Sequence, residues 1–221
     1  MRVGVVVFPG SCDDRDALRA LELVGAEAVR VWHGDEDLSG ADAVIVPGGF
    51  SFGDHLRPGA LAALSPALAA VRAHANAGGP VLGVCNGFQV LTEAGLLPGI
   101  LRTNASLRFR CHDASLRVER ESRWLPGASA GDRIAIPIKH HDGAWFAPPE
   151  QLGELEANGQ VLLRYEQNPN GSVGSIACVT NERGNVAGLM PHPEHAVDPL
   201  LGSTDGRLLL RGLMELAAVA A

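Results

Sequence analysis

One cysteine of this sequence stands in a setting that favours nucleophilic chemistry. Cys85 lies in the run GVCNG (residues 83–87), between a short apolar stretch and a run with helical periodicity. In a G-x-nucleophile-x-G turn, small flanking residues let a sharp strand-to-helix turn form and let substrate approach. The start of a helix also favours the thiolate, because free N–H groups and the helix dipole stabilise negative charge. We therefore predict that Cys85 is a nucleophile.

A thiolate that attacks an amide needs a neighbouring base, and histidine suits this role near neutral pH. Among eight histidines, His192 directly follows an apolar stretch and lies two residues before Glu194. If the chain continues extended here, His192 and Glu194 point the same way and His195 points away. A carboxylate beside an imidazole orients the ring and stabilises its charged form. We predict a catalytic triad of Cys85, His192 and Glu194.

An acyl-transfer site also needs donors for the oxyanion of the tetrahedral intermediate, and backbone N–H groups at glycine-rich strand ends serve well. The run PGG (residues 47–49) follows an apolar stretch. We assign the oxyanion hole to the N–H groups of Gly49 and Asn86. Gln89 lies one helical turn after Cys85 and either reaches back toward bound substrate or is an ordinary solvated glutamine.

The remaining cysteines, at positions 12, 111 and 178, form no C-x-x-C pair. This spacing argues against a zinc site and against a thioredoxin-like redox motif, and no metal site is predicted. We expect these three cysteines to be small buried hydrophobic residues.

The elements that must position these residues alternate between strands and helices through residue 95. Apolar runs at 2–8, 43–46 and 81–84 end in turn signals, and an Ala/Leu-rich helix is predicted over 59–76. This order predicts an α/β fold with a doubly wound, mostly parallel sheet and helices on both faces, so that ligands collect at the carboxyl ends of strands. Short β-rich stretches from about 105 to 190, including separate ones at 107–111 and 115–118, predict antiparallel additions in the C-terminal half. We expect a single domain over residues 1–221.

Charge and hydropathy exclude several functions. The net charge is −7, with 25 acidic and 18 basic residues and no basic run, so a nucleic-acid partner is not expected. No apolar run approaches the ~20 residues that a membrane helix needs, and no leader pattern precedes the first predicted strand. We expect a cytoplasmic protein that does not contact membranes.

The motifs together resemble the class I glutamine amidotransferases. The resemblance rests on the runs PGG (47–49), GVCNGFQ (83–89) and PHPE (191–194). Within that family the chain is similar to the glutaminase subunits of phosphoribosylformylglycinamidine synthase. The further matching runs are FPGS (8–11), PGGFSFGD (47–54), GVCNGFQVLTEAGLL (83–97), NPNGS (168–172) and GNV (184–186). The chain departs from the family pattern at His195, where arginine is usual, and at Ser175 and Cys178. His140 and Gly143 also match a family motif, and His140 is interpreted as a structural histidine.

The resemblance implies a function in purine synthesis. It implies that L-glutamine is hydrolysed to glutamate and ammonia through Cys85, His192 and Glu194. It implies as partners a synthetase subunit, which converts formylglycinamide ribonucleotide, and a small accessory subunit. ATP and Mg are expected on the synthetase, and no cofactor is expected in this chain.

Two other functions remain open at the level of sequence. A stand-alone γ-glutamyl Cys hydrolase has the same nucleophile and triad but needs no synthetase. A non-enzymatic binding module uses an activated thiol to sense oxidants, since such a thiolate is easily oxidised.

Overall fold

A nine-stranded mixed sheet forms the centre of the computed structural model, which describes residues 1–220. The strands in chain order are β1 (Arg2–Val7), β2 (Glu27–Trp32), β3 (Ala43–Val46), β4 (Val81–Val84), β5 (Ile100–Arg102), β6 (Arg110–Val118), β7 (Arg133–His140), β8 (Ala144–Phe146), β9 (Val161–Tyr165), β10 (Ile176–Thr180) and β11 (Val186–Leu189). Their order across the sheet is β2-β1-β3-β4-β11-β10-β9-β6-β7, while β5 and β8 form a separate two-stranded sheet.

The sheet changes from parallel to antiparallel at β11. Strands β2, β1, β3, β4 and β11 pair in parallel, and every pairing from β11 to β7 is antiparallel. Parallel pairing requires crossover connections, and helices supply most of them. The predicted α/β class, with a parallel core and antiparallel additions in the C-terminal half, is therefore confirmed.

Five α-helices accompany the sheet in the described part of the chain. They are α1 (Asp14–Leu23), α2 (Pro66–Asn76), α3 (Asn86–Glu93), α4 (Pro149–Ala157) and α5 (Gly206–Ala220). None of these helices has the length and apolar character needed to cross a membrane.

The structure corrects two predicted elements. The helix predicted over 59–76 begins at Pro66, because the Ser65 side chain accepts a hydrogen bond from the Leu68 N–H and Pro66 fits the first helical turn. Residues 62–64 form a separate 3₁₀ turn instead. Residues 110–111 of the first predicted β-rich stretch and all of the second, at 115–118, belong to one strand, β6, whereas residues 107–109 precede it.

The three central strands of the sheet are buried along their whole length. Every residue of β3, β4 and β11 is buried, as the apolar sequence of each strand requires for a sheet that is covered on both faces. Phe88 of α3 packs against this centre, where a Cβ on Gly188 would collide with its ring. The carboxyl ends of β4 and β11 are therefore held in a rigid, water-poor setting.

Helix α3 approaches β3 so closely that position 87 tolerates only glycine. A Cβ on Gly87 would overlap the carbonyl oxygen of Val46. Because the obstacle is backbone, we expect Gly87→Ala to destabilise the fold by about 1–3 kcal/mol or more. A Cβ on Gly153, inside α4, would have nothing within 4 Å of it. Gly153→Ala is the matched control and is expected to stabilise the fold by about 0.5–1 kcal/mol. Urea unfolding measures both changes, and equal effects of the two substitutions would contradict this packing.

Candidate active site

The parallel pairing of β4 with β11 brings the predicted nucleophile and base to one place. Val84 pairs with Leu189 at the carboxyl ends of the two strands. The Cys85 N–H then donates to the Leu189 carbonyl oxygen at 2.8 Å. His192 follows three residues after Leu189, so both side chains belong to the same edge of the sheet.

Cys85 occupies a strained turn between β4 and α3. Its φ is 51° and its ψ is −108°, a backbone conformation that residues other than glycine rarely adopt. A Cβ on Gly83 would lie 2.8 Å from the Gly87 carbonyl oxygen, so the turn closes only because position 83 has no side chain. The Cys85 side chain is buried at the start of α3, where the N–H groups of the first helical turn have no partner within the helix.

His192 and Glu194 form a buried hydrogen-bonded pair. The His192 Nδ1 lies 2.6 Å from the Glu194 Oε1, and the two residues are 0% and 4% exposed. A carboxylate only accepts, so Nδ1 carries the proton and Nε2 is left to face a reacting group. Among the residues that the structure describes, the His192 Nε2 has no hydrogen-bond partner.

The charges around His192 favour its protonated form. Burial alone would lower the pKa of His192, but the Glu194 carboxylate and the Cys85 sulfur raise the pKa to about 10. An imidazolium beside a thiol stabilises the thiolate, which is the reactive form of cysteine.

The prediction that His195 points away is wrong. Residues 193–195 form a 3₁₀ turn rather than an extended segment, because the chain bends at His192 before Pro193. The His195 Nε2 therefore lies 3.7 Å from the Glu194 Oε1 and 3.4 Å from the Asp13 Oδ1. The turn still brings Glu194 back to the His192 ring.

Asp13 is a buried charged residue that sequence reasoning missed. It precedes α1, is 3% exposed, and contacts the Lys139 ammonium. Burial would raise the pKa of Asp13, but His195, the charge of His192 and Lys139 hold it well below the usual range. The sequence signal for Asp13 was only that of an acidic residue at a helix start, which many helices share.

Four side chains at this position are of types that bind metals. Single atoms of Asp13, His192, Glu194 and His195 lie within 4.8 Å of one another. The Lys139 ammonium already contacts Asp13, and His192 is hydrogen-bonded to Glu194. These donors therefore neutralise one another, which fits a cluster of ion pairs better than a metal site.

A cleft with about 470 Å³ of empty space, partly open to solvent, opens beside Cys85. Its lining includes Gly49, Gln89 and His140 together with Cys85. The Cys85 Sγ lies 3.7 Å from the Lys139 carbonyl oxygen, so the end of β7 forms one wall. The cleft gives a small molecule access to the sulfur from the side of the glycine-rich loop.

The two residues assigned to the oxyanion hole both lie near the nucleophile: Gly49 lines the same cleft, and Asn86 follows Cys85 directly. Gly49 has a φ of 145°. Asn86 is the first residue of α3, and its side chain accepts the Ser51 N–H at 3.1 Å. The nucleophile-bearing helix is thereby tied to the segment that follows the glycine loop.

Gln89 lines the cleft, and both the nitrogen and the oxygen of its side-chain amide are hydrogen-bonded. Its Nε2 donates to the Asp142 carbonyl oxygen at 2.6 Å, and its Oε1 accepts from the Asn86 Nδ2 at 2.9 Å. These bonds hold the cleft wall in place, while the Gln89 carbon chain remains available to contact a substrate.

His140 is a buried histidine in the wall of the cleft. Its Nδ1 lies 3.1 Å from the Asn104 Oδ1. Burial and the charge of His192 lower the pKa of His140 to about 4, so it stays neutral. The structural interpretation made from the sequence agrees with this fixed ring.

The other cysteines divide into two classes. Cys178 is buried in β10 as expected, but Cys12 and Cys111 are exposed, so the prediction of burial is wrong for these two. Cys12 even lines the cleft. Partial burial and the charge of Asp13 raise the pKa of Cys12, which keeps its thiol protonated.

Comparison with known proteins decides the family. The family model for the CobB/CobQ-like glutamine amidotransferase domain matches residues 1–206. The chain belongs to this glutamine amidotransferase family.

Relatives of this amidotransferase match over almost their full length. The phosphoribosylformylglycinamidine synthase subunit PurQ of Rubrobacter xylanophilus is 56% identical, over 99% of this chain and 100% of the relative. The protein of the same name from Frankia casuarinae is 57% identical, over 97% and 93%. A chain in the structure of PurLQS from Thermotoga maritima has a TM-score of 0.90 at 42% identity, covering 97% of both chains. A putative GMP synthase subunit from Thermoplasma acidophilum, at 15% identity and a TM-score of 0.71, covers 99% of this chain and 94% of its own and shares the fold.

Thiol labelling tests whether the amidotransferase nucleophile is Cys85. A glutamine-mimicking electrophile is expected to modify Cys85 and to spare Cys12, Cys111 and Cys178, because only Cys85 combines a helix start with a charged histidine. Peptide mapping locates the adduct. Cys12 and Cys111 are more exposed than Cys85, so a preference for either of them would show that exposure rather than activation governs reactivity.

Substitutions at Cys85 and Glu194 distinguish the role of the nucleophile from that of the positioning carboxylate. We expect Cys85→Ala to abolish glutamine hydrolysis and Glu194→Gln to retain residual activity, because the amide still holds the ring but loses the charge that stabilises imidazolium. Steady-state kinetics and thermal unfolding of both variants give the comparison. A wild-type rate for Glu194→Gln would rule out a role for the Glu194 carboxylate. Addition of a chelator is expected to leave the rate of glutamine hydrolysis unchanged.

Proposed function

We propose that this chain is the glutaminase subunit of a phosphoribosylformylglycinamidine synthase. It hydrolyses L-glutamine and passes ammonia to a synthetase subunit, which uses ATP to convert formylglycinamide ribonucleotide to formylglycinamidine ribonucleotide. The strongest support is the buried Cys85, His192 and Glu194 at the adjoining ends of β4 and β11, in a chain 56% identical to a PurQ subunit.

The proposed reaction proceeds through a thioester. The Cys85 thiolate attacks the side-chain carbonyl carbon of glutamine, and the N–H groups of Gly49 and Asn86 bind the oxyanion. His192 then donates the Nε2 proton to the leaving nitrogen, which departs as ammonia. In the second half, neutral His192 takes a proton from water, whose oxygen attacks the thioester and releases glutamate. Glu194 keeps the ring oriented in both halves.

The partners follow from the relatives and from the chemistry. A solved relative is part of a PurLQS assembly, which supports a synthetase and a small accessory subunit as partners here. The Cys-His-Glu chemistry needs no cofactor, and ATP with Mg belongs to the synthetase. We assign the protein to the cytoplasm. We treat residues 1–221 as one domain, because one nine-stranded sheet contains both β1 and β11, and only β5 and β8 lie outside it.

The segment over residues 50–57 is the proposed contact through which the synthetase controls the site. Phe50 and Leu56 are 49% and 86% exposed. The segment is fixed to α3 at both ends, since Ser51 donates to Asn86 and Arg57 pairs with Glu93 at 2.6 Å. Contact of the synthetase with these exposed side chains therefore changes the position of Asn86, whose N–H is an oxyanion donor.

The alternatives have less support. A stand-alone γ-glutamyl Cys hydrolase explains the cleft but gives no reason for the apolar side chains exposed over residues 50–57. A non-enzymatic thiol sensor needs a reactive cysteine, yet it does not need a buried carboxylate hydrogen-bonded to the histidine beside it.

Coupling to a synthetase distinguishes the subunit from a free hydrolase. We expect glutaminase activity to be low for the isolated chain and to rise about 10²-fold or more with synthetase, ATP, Mg and formylglycinamide ribonucleotide, since one oxyanion donor is worth that much. Glutamate formation and transfer of ¹⁵N from amide-labelled glutamine into the nucleotide are measured together. Full activity of the chain alone, with no ¹⁵N transfer in the complex, would favour the hydrolase.

A matched pair of surface variants locates the coupling. Leu56→Asp is expected to lower the activation by the synthetase and to leave the isolated chain unchanged. Leu200 is 93% exposed on a 3₁₀ turn near α5, so Leu200→Asp adds the same charge elsewhere and is expected to have no effect. If the synthetase activates Leu56→Asp and Leu200→Asp equally, residues 50–57 do not belong to the interface with the synthetase.

A further inference from the structure

A second buried carboxylate lies against the histidine of the site. The Asp13 Oδ2 is 3.7 Å from the His192 Nδ1, on the same nitrogen that bonds Glu194. This distance is too long for a hydrogen bond but short for an interaction between charges. The exposed fraction of the Asp13 side chain is 4%, so little solvent screens that interaction.

The backbone leaves room for this approach only because residue 48 is glycine. A Cβ on Gly48 would overlap the Asp13 Oδ2 and would lie 2.8 Å from the His192 Cε1. The Gly48 carbonyl oxygen also accepts the Asp13 N–H at 3.2 Å, which fixes the start of α1 against the loop. Asp13 is therefore held beside His192 from both its backbone and its side chain.

Several charged groups surround Asp13. Lys139 from β7 contacts its Oδ1, and the His195 Nε2 lies 3.4 Å from the same oxygen. His192 and Glu194 approach from the turn after β11, while the Asp16 Oδ2 of α1 lies 4.0 Å from the same Nε2 of His195. Beyond these, the neighbouring ionisable groups on Asp13's own segment are Cys12 and Asp14.

We propose that Asp13 is a positioning residue that shares with Glu194 the stabilisation of protonated His192, and that Lys139 limits this effect by neutralising part of its charge. Asp13 then keeps His192 protonated until the ring passes its proton to the leaving nitrogen, and Lys139 keeps the ring from holding that proton too tightly to release it. Asp13 acts through His192 and takes no part in the bonds that form or break. This inference rests on the proposed function only for its effect on rate.

The two members of the ion pair should shift the His192 pKa in opposite directions. Asp13→Asn is expected to lower it by about one unit, since an opposite charge at this distance shifts a pKa by ~1–3 units. Lys139→Met removes a positive charge and is expected to raise it. If Asp13 had only a structural role, the two substitutions would not shift the His192 pKa in opposite directions. NMR titration of histidine labelled in the imidazole ring, on the full chain, measures both values.

The matched control is Asp16→Asn, which makes the same chemical change at an exposed side chain of α1, the helix that Asp13 precedes. It is expected to leave the His192 pKa within about 0.2 units, because solvent screens an exposed charge. With the synthetase present, Asp13→Asn is expected to lower kcat up to about tenfold at alkaline pH with KM for glutamine unchanged, a one-unit pKa change being a tenfold change in protonation.

Each outcome decides the proposal. Shifts of opposite sign in the two variants support it. Shifts of the same sign, or a wild-type pKa in Asp13→Asn, overturn it. If Asp13→Asn does not fold, Lys139→Met alone decides, and an unchanged or lowered pKa overturns the proposal. Opposite shifts in an enzyme without glutaminase activity would keep the role of Asp13 and reject the proposed function.

Discussion

The in-register parallel pairing of β4 with β11 is the constraint on which the site depends. Because Val84 lies beside Leu189, the residues that follow the two strands start from the same edge of the sheet. The Cys85 N–H then closes the ladder on the Leu189 carbonyl oxygen. A slip of one residue would turn every side chain of a strand to the opposite face, and the nucleophile would no longer meet His192.

Charge balance is the second condition for a buried site of this kind. An isolated ion in a protein interior is unfavourable, and removal of one partner from a buried pair costs several kcal/mol. Here carboxylates and cations alternate: Glu194 and Asp13 flank His192, while Lys139 neutralises Asp13. The carboxylates beside His192 keep the ring charged in the same site as Cys85, which is the property that an amidotransferase needs.

The features that were predictable from sequence are those that depend on local rules. The strands Ala43–Val46 and Val81–Val84 have the bounds that their apolar runs indicated, and the GVCNG run forms the expected strand-to-helix turn. The role assigned to Glu194 came from its spacing to His192. The spacing argument assumed an extended chain, whereas the hydrogen bond is made across a 3₁₀ turn.

Tertiary contacts account for what the sequence did not reveal. Asp13 and Lys139 are 126 positions apart and meet only because β7 lies at the mouth of the cleft. The exposure of Cys12 and Cys111 likewise depends on which face of a loop or of β6 meets solvent.

Detection of the γ-glutamyl thioester tests the proposed chemistry most directly. The complex with its synthetase is mixed with glutamine, quenched in acid within the first turnover, and analysed by mass spectrometry of the Cys85 peptide. The γ-glutamyl group is expected on Cys85 in the wild-type enzyme, with no glutamate formed by Cys85→Ala. Acylation at a different residue, or glutamate formation by Cys85→Ala at the wild-type rate, would contradict a mechanism centred on Cys85.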